Sequence, residues 1–78
     1  FNDEWKPIED LDVEMEVIIL NRWGQKEYSY SGNSLVFNWN GKGNWGGERE
    51  LPSADYYYII KFNNNNYSDR TGVITLIR

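Results

Sequence analysis

The sequence predicts an all-β fold, a small antiparallel Ig-like β-sandwich of about six to seven strands. Two observations support this prediction. Apolar and polar side chains alternate with a period of two, and turn-forming Gly, Pro, Asn and Ser separate short segments rich in Val, Ile and Tyr. A chain of 78 residues is long enough for one domain. We therefore expect residues 1–78 to be a single folded unit.

The first predicted element is a hairpin. Its first strand covers residues 13–20, in which apolar residues alternate with Glu14 and Glu16 before both faces become apolar. The tetrapeptide Asn-Arg-Trp-Gly follows at residues 21–24. Asn favours the first position of a type I turn, and Gly accepts the left-handed conformation that closes a short hairpin with a bulge. Residues 25–31 are then the return strand.

The middle of the chain is predicted to be less regular. We expect a turn at residues 32–34 and a short strand at residues 35–39. Residues 40–47 contain four glycines and are predicted to be a loop, because glycine is costly to hold in a regular element. Residues 48–51 are expected to pair briefly before Pro52 ends the strand.

The C-terminal third is predicted to be a second hairpin. Residues 55–62 are dense in Tyr and Ile and form the strongest predicted strand. The three tyrosines at 56–58 point to both faces, because neighbouring side chains alternate along a strand. The asparagine run at 63–66 is a loop, and residues 67–78 return as the last strand with a bulge at Gly72.

The composition argues against catalysis and against a bound cofactor. The chain has no cysteine and no histidine, which excludes thiolate chemistry and removes the commonest general base and metal ligand. A carboxylate pair of the glycosidase type needs a cleft that so short a chain hardly offers. We expect no enzyme activity, no catalytic residues, no metal and no cofactor.

The net charge of −4 is unevenly distributed. Residues 1–16 carry seven carboxylates and one lysine, and their spacing does not match a calcium-binding loop. A solvated charged edge is favoured over a Ca²⁺ site, which stays as the alternative. The sequence has no basic stripe and no apolar run of about 20 residues, so neither nucleic acid nor a membrane span is expected.

Several short sequence blocks follow one another in an order that is typical of one family. The blocks are Asn-Arg-Trp-Gly, Trp-Asn-Gly, Leu-Pro followed by Tyr-Tyr-Tyr, and a terminal Thr-Leu-Ile-Arg. The chain thereby resembles the type B C-terminal sorting domain of the type IX secretion system, also called the gliding motility-associated C-terminal domain. The motif residues that we expect to be structural are Asn21, Gly24, Trp39, Gly41, Leu51, Pro52, Tyr56, Tyr57, Tyr58, Gly72, Thr75 and Ile77.

The resemblance implies a C-terminal secretion signal. Such a domain is recognised as a folded unit by the secretion machinery or by an outer-membrane-associated partner protein. The parent protein passes through the periplasm and is then secreted or displayed at the cell surface. The chain does not begin with Met, and we expect it to be a C-terminal piece of a larger protein.

Four residues are the candidates for partner contacts: Arg22, Trp23, Trp45 and Arg78. Trp and Arg are favoured interface anchors. The competing interpretation of the hairpin tip is that Trp23 folds back as a lid on the core while Arg22 pairs with an acid. Trp45 is either exposed or tucked over one open end of the sandwich, and Arg78 is either captured by a partner or the last rung of the sheet.

Two other functions remain open from the residues alone. A carbohydrate-binding module of a secreted enzyme requires at least two aromatic side chains exposed in one plane, of which Trp45 is the obvious first. A structural adhesin domain requires neither a ligand nor a receptor.

Overall fold

The computed structural model describes Trp5, residues 12–45, Gly47, residues 49–64 and residues 66–77. Within this part of the chain there are six strands and no helix. The strands are β1 Glu14–Leu20, β2 Lys26–Asn33, β3 Lys42–Gly43, β4 Arg49–Glu50, β5 Ala54–Phe62 and β6 Arg70–Leu76. The prediction of an all-β antiparallel fold is confirmed.

The principal element is a four-stranded sheet in the order β2-β1-β5-β6, with every pair antiparallel. Strands β3 and β4 form a separate two-stranded ribbon. Strands β1 and β2 are joined by a tight hairpin, whereas β1 and β5 meet only after the chain has passed through the ribbon. In the part of the chain that the structure describes, the two edges of the sheet are therefore β2 and β6.

The core lies on one face of this sheet, which we call the inner face. Period-two alternation sends one set of side chains from β1, β5 and β6 into this core. The buried apolar side chains from the sheet are Met15, Val17, Ile19, Tyr56, Ile60, Ile74 and Leu76. Phe37, Trp39 and Leu51 pack against them from the opposite side.

The segment that covers the inner face is anchored by tryptophans. Trp5 and Trp39 form an isolated antiparallel bridge, in which each backbone N–H donates to the other carbonyl at 2.7 and 2.8 Å. Trp39 is fully buried, and its indole Nε1 donates to the Lys42 carbonyl at 2.9 Å. Trp5 packs against Tyr58 of β5, with ring centroids 4.9 Å apart. These contacts hold a second layer over the sheet.

The predicted strand at residues 35–39 is wrong. Only Trp39 takes part in a bridge, and the chain turns immediately after β2. The Ser34 N–H donates to the Val13 carbonyl at 2.8 Å, and the Leu35 N–H donates to Asn33 Oδ1 at 2.7 Å. These bonds bend the backbone at the point where the sequence pattern would have extended it.

The predicted boundaries of the neighbouring elements also change. The turn expected at residues 32–34 begins only at Ser34, because β2 continues through Gly32, which pairs with Met15. The loop expected at residues 40–47 contains β3, whose pairing with β4 confirms the brief strand expected at residues 48–51.

The predicted bulge at Gly72 is also wrong. The register of β5 and β6 is regular from Ala54 opposite Leu76 to Ile60 opposite Arg70, and Gly72 lies directly opposite Tyr58. A Cβ atom at Gly72 would be 2.6 Å from ring and hydroxyl atoms of Tyr58. Glycine is therefore required for the close approach of the tyrosine ring. The last strand also begins later than expected, at Arg70.

Candidate functional site

The tip of the β1–β2 hairpin is fixed by the side chain of Asn21. Its Oδ1 accepts hydrogen bonds from the N–H groups of Trp23 at 2.9 Å and Gln25 at 3.0 Å. The Gly24 N–H donates to the Asn21 carbonyl at 3.0 Å, and Gly24 has φ of +80°. This geometry confirms the predicted turn with a left-handed glycine, and it gives the tip a defined backbone.

Arg22 and Trp23 project from this tip. Trp23 is 70% exposed, the guanidinium carbon of Arg22 lies 4.4 Å from the centroid of its ring, and the arginine side chain is exposed as well. Within the described residues, Arg22 has no carboxylate partner. The interpretation of Trp23 as a core lid is therefore wrong, and no described carboxylate supports the pairing of Arg22 with an acid. The pair is an exposed cation–π stack.

A groove of about 560 Å³ separates the hairpin tip from the start of β5. We call it the tip groove; one wall is Asn21, Arg22, Trp23 and Glu27, and the other is Pro52, Ser53, Ala54, Asp55, Tyr56 and Tyr57. Two motif blocks that are about thirty positions apart in the sequence thus face each other across one opening. The Tyr56 hydroxyl donates to the Pro52 carbonyl at 2.7 Å, which fixes the second wall.

The two carboxylates of the tip groove both have partners. Glu27 forms an ion pair with Arg49, and Asp55 accepts a hydrogen bond from the Thr75 hydroxyl at 2.8 Å. The Arg22 guanidinium has no such carboxylate partner among the described residues. The groove therefore offers a donor-rich cation beside exposed aromatic surface, which is suited to an acidic and apolar protein segment.

Trp45 is also exposed, at 53%. The Lys26 ammonium lies 4.7 Å from the centroid of the Trp45 ring. The backbone carbonyl of Trp45 accepts a hydrogen bond from the Arg49 guanidinium at 2.9 Å. The Lys26 contact ties the loop of Trp45 to the edge of β2, and the Arg49 bond ties it to β4. Trp45 thus lies against the β1–β2 hairpin and is exposed, which is the first of the two positions that the sequence allowed.

The other motif residues have structural positions. Gly41 is buried with φ of +83°, and its carbonyl accepts the Leu51 N–H at 3.0 Å. Of the tyrosines, Tyr56 is buried, Tyr58 is half-buried and Tyr57 is 44% exposed on the other face of the sheet, which we call the outer face. The remaining motif residues in β6 and after it are Gly72 beneath Tyr58, Thr75 bonded to Asp55, and exposed Ile77. Arg78 lies outside the described residues.

Sequence reasoning missed the role of Asn44. Its Oδ1 accepts the Ser29 N–H at 2.9 Å, and its Nδ2 donates to the Ser29 carbonyl at 2.8 Å. Its own N–H donates to the Glu27 carbonyl at 2.9 Å. Asn44 therefore replaces a neighbouring strand along part of the β2 edge. A single Asn in a glycine-rich loop carries no signal of such a long-range contact.

The acidic N-terminal cluster falls mostly outside the described residues. In the part that the structure describes, no group of three or more His, Cys, Asp or Glu side chains is arranged to hold a metal ion. The same residues include no helix with the length and hydropathy required to cross a membrane.

Comparison with known proteins identifies the family. A model of the CHU_C type IX secretion signal domain matches residues 1–76. No curated protein and no solved structure gives a match. The match extends over nearly the whole chain, and the ordered motif blocks that suggested the resemblance lie within it, apart from the last two residues. The chain belongs to the CHU_C type IX secretion signal domain family.

Proposed function

We propose that this domain directs export of a parent protein by being recognised, as a folded unit, by the type IX secretion machinery or its outer-membrane-associated partner. The family match supports the sorting role and export to the cell surface or medium. The proposal adds recognition of the folded domain, passage through the periplasm and the absence of enzymatic activity. It also treats the chain as a C-terminal sorting domain of a larger protein.

The observation that carries this proposal is the exposed Arg22–Trp23 stack at a rigid hairpin tip. The Trp23 side chain is 70% exposed, so most of its ring is available to a partner, and Trp is among the residues most enriched as interface anchors. The turn is held by Asn21, so little conformational entropy is lost when a partner engages the tip. Stacking of Arg22 on the ring adds a charged donor at the same point.

The proposed recognition surface is the tip groove together with the stack. Its second wall belongs to the Leu-Pro and Tyr-Tyr-Tyr blocks, so these blocks contribute to both the fold and the groove. Trp45 and Arg78 are further candidates for partner contacts, because Trp and Arg are favoured interface anchors. We also propose that the four-stranded sheet and the layer anchored by Trp39 correspond to the small Ig-like sandwich.

The test is a double substitution, Arg22→Ala with Trp23→Ala, in residues 1–78 fused to the C-terminus of a periplasmic fluorescent reporter. Interface anchors of this kind each contribute about 2 kcal/mol or more, so we expect at least about a tenfold loss of extracellular reporter. The purified double variant should keep the thermal unfolding midpoint of the parent domain to within about 2 °C, since neither side chain packs in the core.

The matched control is Leu35→Ala with Val36→Ala. These two apolar side chains are also exposed, at 43% and 74%, but they follow β2 at the opposite end of the sheet from the hairpin tip. The control should be exported as the parent fusion is. Normal export of a folded Arg22→Ala, Trp23→Ala variant would contradict the assignment of the contact.

The carbohydrate-binding alternative makes a different prediction. One face of Trp23 is occupied by Arg22 and one face of Trp45 by Lys26, so a sugar ring would stack on the remaining faces. Titration with soluble glycans would then shift tryptophan fluorescence. An unchanged spectrum with every glycan would argue against this alternative.

A further inference from the structure

The two edges of the main sheet are protected to different extents. At β2, Asn44 bonds to both backbone groups of Ser29 and also to the Glu27 carbonyl. At β6, the register with β5 is regular over seven pairs, without a bulge, and residues 70–77 contain no proline and no lysine. Bulges, proline and lysine are the usual means by which proteins prevent strand addition at an edge.

The hydrogen-bond pattern identifies which β6 groups point outward. The Ser34 N–H donates to the Val13 carbonyl, so the backbone N–H and C=O groups of odd-numbered residues in β1 point towards β2. The Asn63 N–H donates to the Glu14 carbonyl, so the backbone groups of even-numbered residues in β1 point towards β5. In an antiparallel sheet this direction alternates from residue to residue. By the register of β1 with β5, the backbone groups of even-numbered residues in β5 point towards β6. By the register of β5 with β6, the backbone N–H and C=O groups of Thr71 and Val73 then point away from β5, beyond the edge of the sheet.

The outward N–H and C=O groups of Thr71 and Val73 have no hydrogen-bond partner among the described residues. Their side chains are exposed on the outer face, Val73 at 56%. Backbone groups of a regular edge strand present a template for a further extended strand. The ligand that fits these outward backbone groups is therefore another extended strand.

We propose that the β6 edge is a docking site for an extended strand of the protein partner in the secretion apparatus. This inference rests on the proposed function and adds to it a second contact surface, distinct from the tip groove. The partner strand pairs with β6 through the backbone groups of Thr71 and Val73 and carries small or β-branched residues beside their side chains.

Charge favours another protein over a second copy of this chain. Each copy has a net charge of −4, and like net charges oppose association. Residues 70–77 contain no carboxylate, and their one charge is Arg70, whose side chain lies over the Phe62 ring at 5.6 Å without an ion pair among the described residues. A partner strand with an acidic residue beside Arg70 complements this edge.

The test is Val73→Pro in the reporter fusion, expressed in a bacterium with a working type IX system and in a mutant that lacks it. Proline removes only an outward-facing N–H here, and proline is tolerated on an edge strand when that side faces solvent. The matched control is Ser31→Pro, which removes the N–H of an exposed residue on the opposite edge, β2. We expect Val73→Pro to lose export at least about tenfold and Ser31→Pro to be exported normally.

The outcomes separate this inference from the proposed function. If the parent fusion is not exported, the proposed function fails and the inference fails with it. If the parent fusion and a folded Val73→Pro variant are both exported, the inference alone is overturned. Thr71→Pro is the second variant if Val73→Pro does not fold, and normal export of folded Thr71→Pro would overturn the inference equally.

Hydrogen exchange of the purified domain gives an independent test. The amides of Thr71 and Val73 should exchange rapidly, whereas those of Gly72 and Ile74, which face β5, should be protected. Protection of all four in a monomer would mean that the chain covers its own edge, which contradicts the proposal. A dimer in sedimentation that Val73→Pro converts to a monomer would assign the edge to a second copy and would also overturn it.

Discussion

Asn21 determines the shape of the hairpin tip through one side-chain oxygen. That atom accepts two backbone N–H groups, and the residue is only 9% exposed. Removal of the acceptor leaves two donors of the turn without their partner. The exposure of Trp23 depends on this turn, because the Trp23 N–H is one of the two groups that donate to Asn21 Oδ1.

We predict that Asn21→Ala lowers the free energy of unfolding by about 1–3 kcal/mol, because two hydrogen bonds worth about 0.5–1.5 kcal/mol each are lost. Urea denaturation followed by tryptophan fluorescence measures the change. The control is Asn40→Ala, which removes a single, longer bond from an exposed turn, Asn40 Oδ1 to the Lys42 N–H at 3.3 Å, and should cost less. An Asn21→Ala domain as stable as the parent would contradict this account of the tip.

The turn at residues 21–24 could be predicted from sequence because its residue types have strong local preferences. The direction of the Trp23 side chain could not, since an indole at a turn can pack inward or project outward with the same backbone. In this structure Trp39 and Phe37 are buried in the core, whereas Trp23 is 70% exposed.

At the scale of the strand, Gly72 shows how a correct residue can be given the wrong explanation. Glycine in a strand indicates either a bulge or a close approach of another group. The sequence does not distinguish the two, because the residue opposite Gly72 depends on the register of β5 and β6. The register brings Tyr58 opposite, and its ring takes the space that a Cβ would occupy.

We predict that Gly72→Ala destabilises the domain by about 1–3 kcal/mol through overpacking against the Tyr58 ring. A double-mutant cycle with Tyr58→Val measures the origin of the effect by chemical denaturation. The cost of Gly72→Ala should be smaller in the Tyr58→Val background, where the ring is absent. Additive costs would mean that the ring contact is not responsible.

The two long hairpins were predictable, whereas the segment between them was not. β1, β2, β5 and β6 have sustained period-two patterns or dense β-forming residues, so their existence follows from local sequence. The chain at residues 34–53 is held by distant partners, including the Trp5–Trp39 bridge and the contact of Asn44 with Ser29. Such contacts leave no periodic pattern, which is why the strand expected at residues 35–39 was wrong.

For the whole molecule, the order of the motif blocks was sufficient to identify the family. Their arrangement in space required the fold, because pairing of β1 with β5 brings the block at residues 21–24 across from the block at residues 51–58. The Leu20–Tyr57 pair at the end of that ladder lies beside the tip groove. The sequence could indicate the motif blocks without indicating that two of them face one opening.

The most direct measurement of the central claim is export of a reporter that carries residues 1–78 at its C-terminus. The fusion is expressed with a periplasmic signal in a bacterium with a working type IX system and in a mutant that lacks it. The account predicts extracellular reporter only in the first strain. Reporter retained in both strains, with the domain folded by circular dichroism, would contradict the claim that this domain is a sufficient sorting signal.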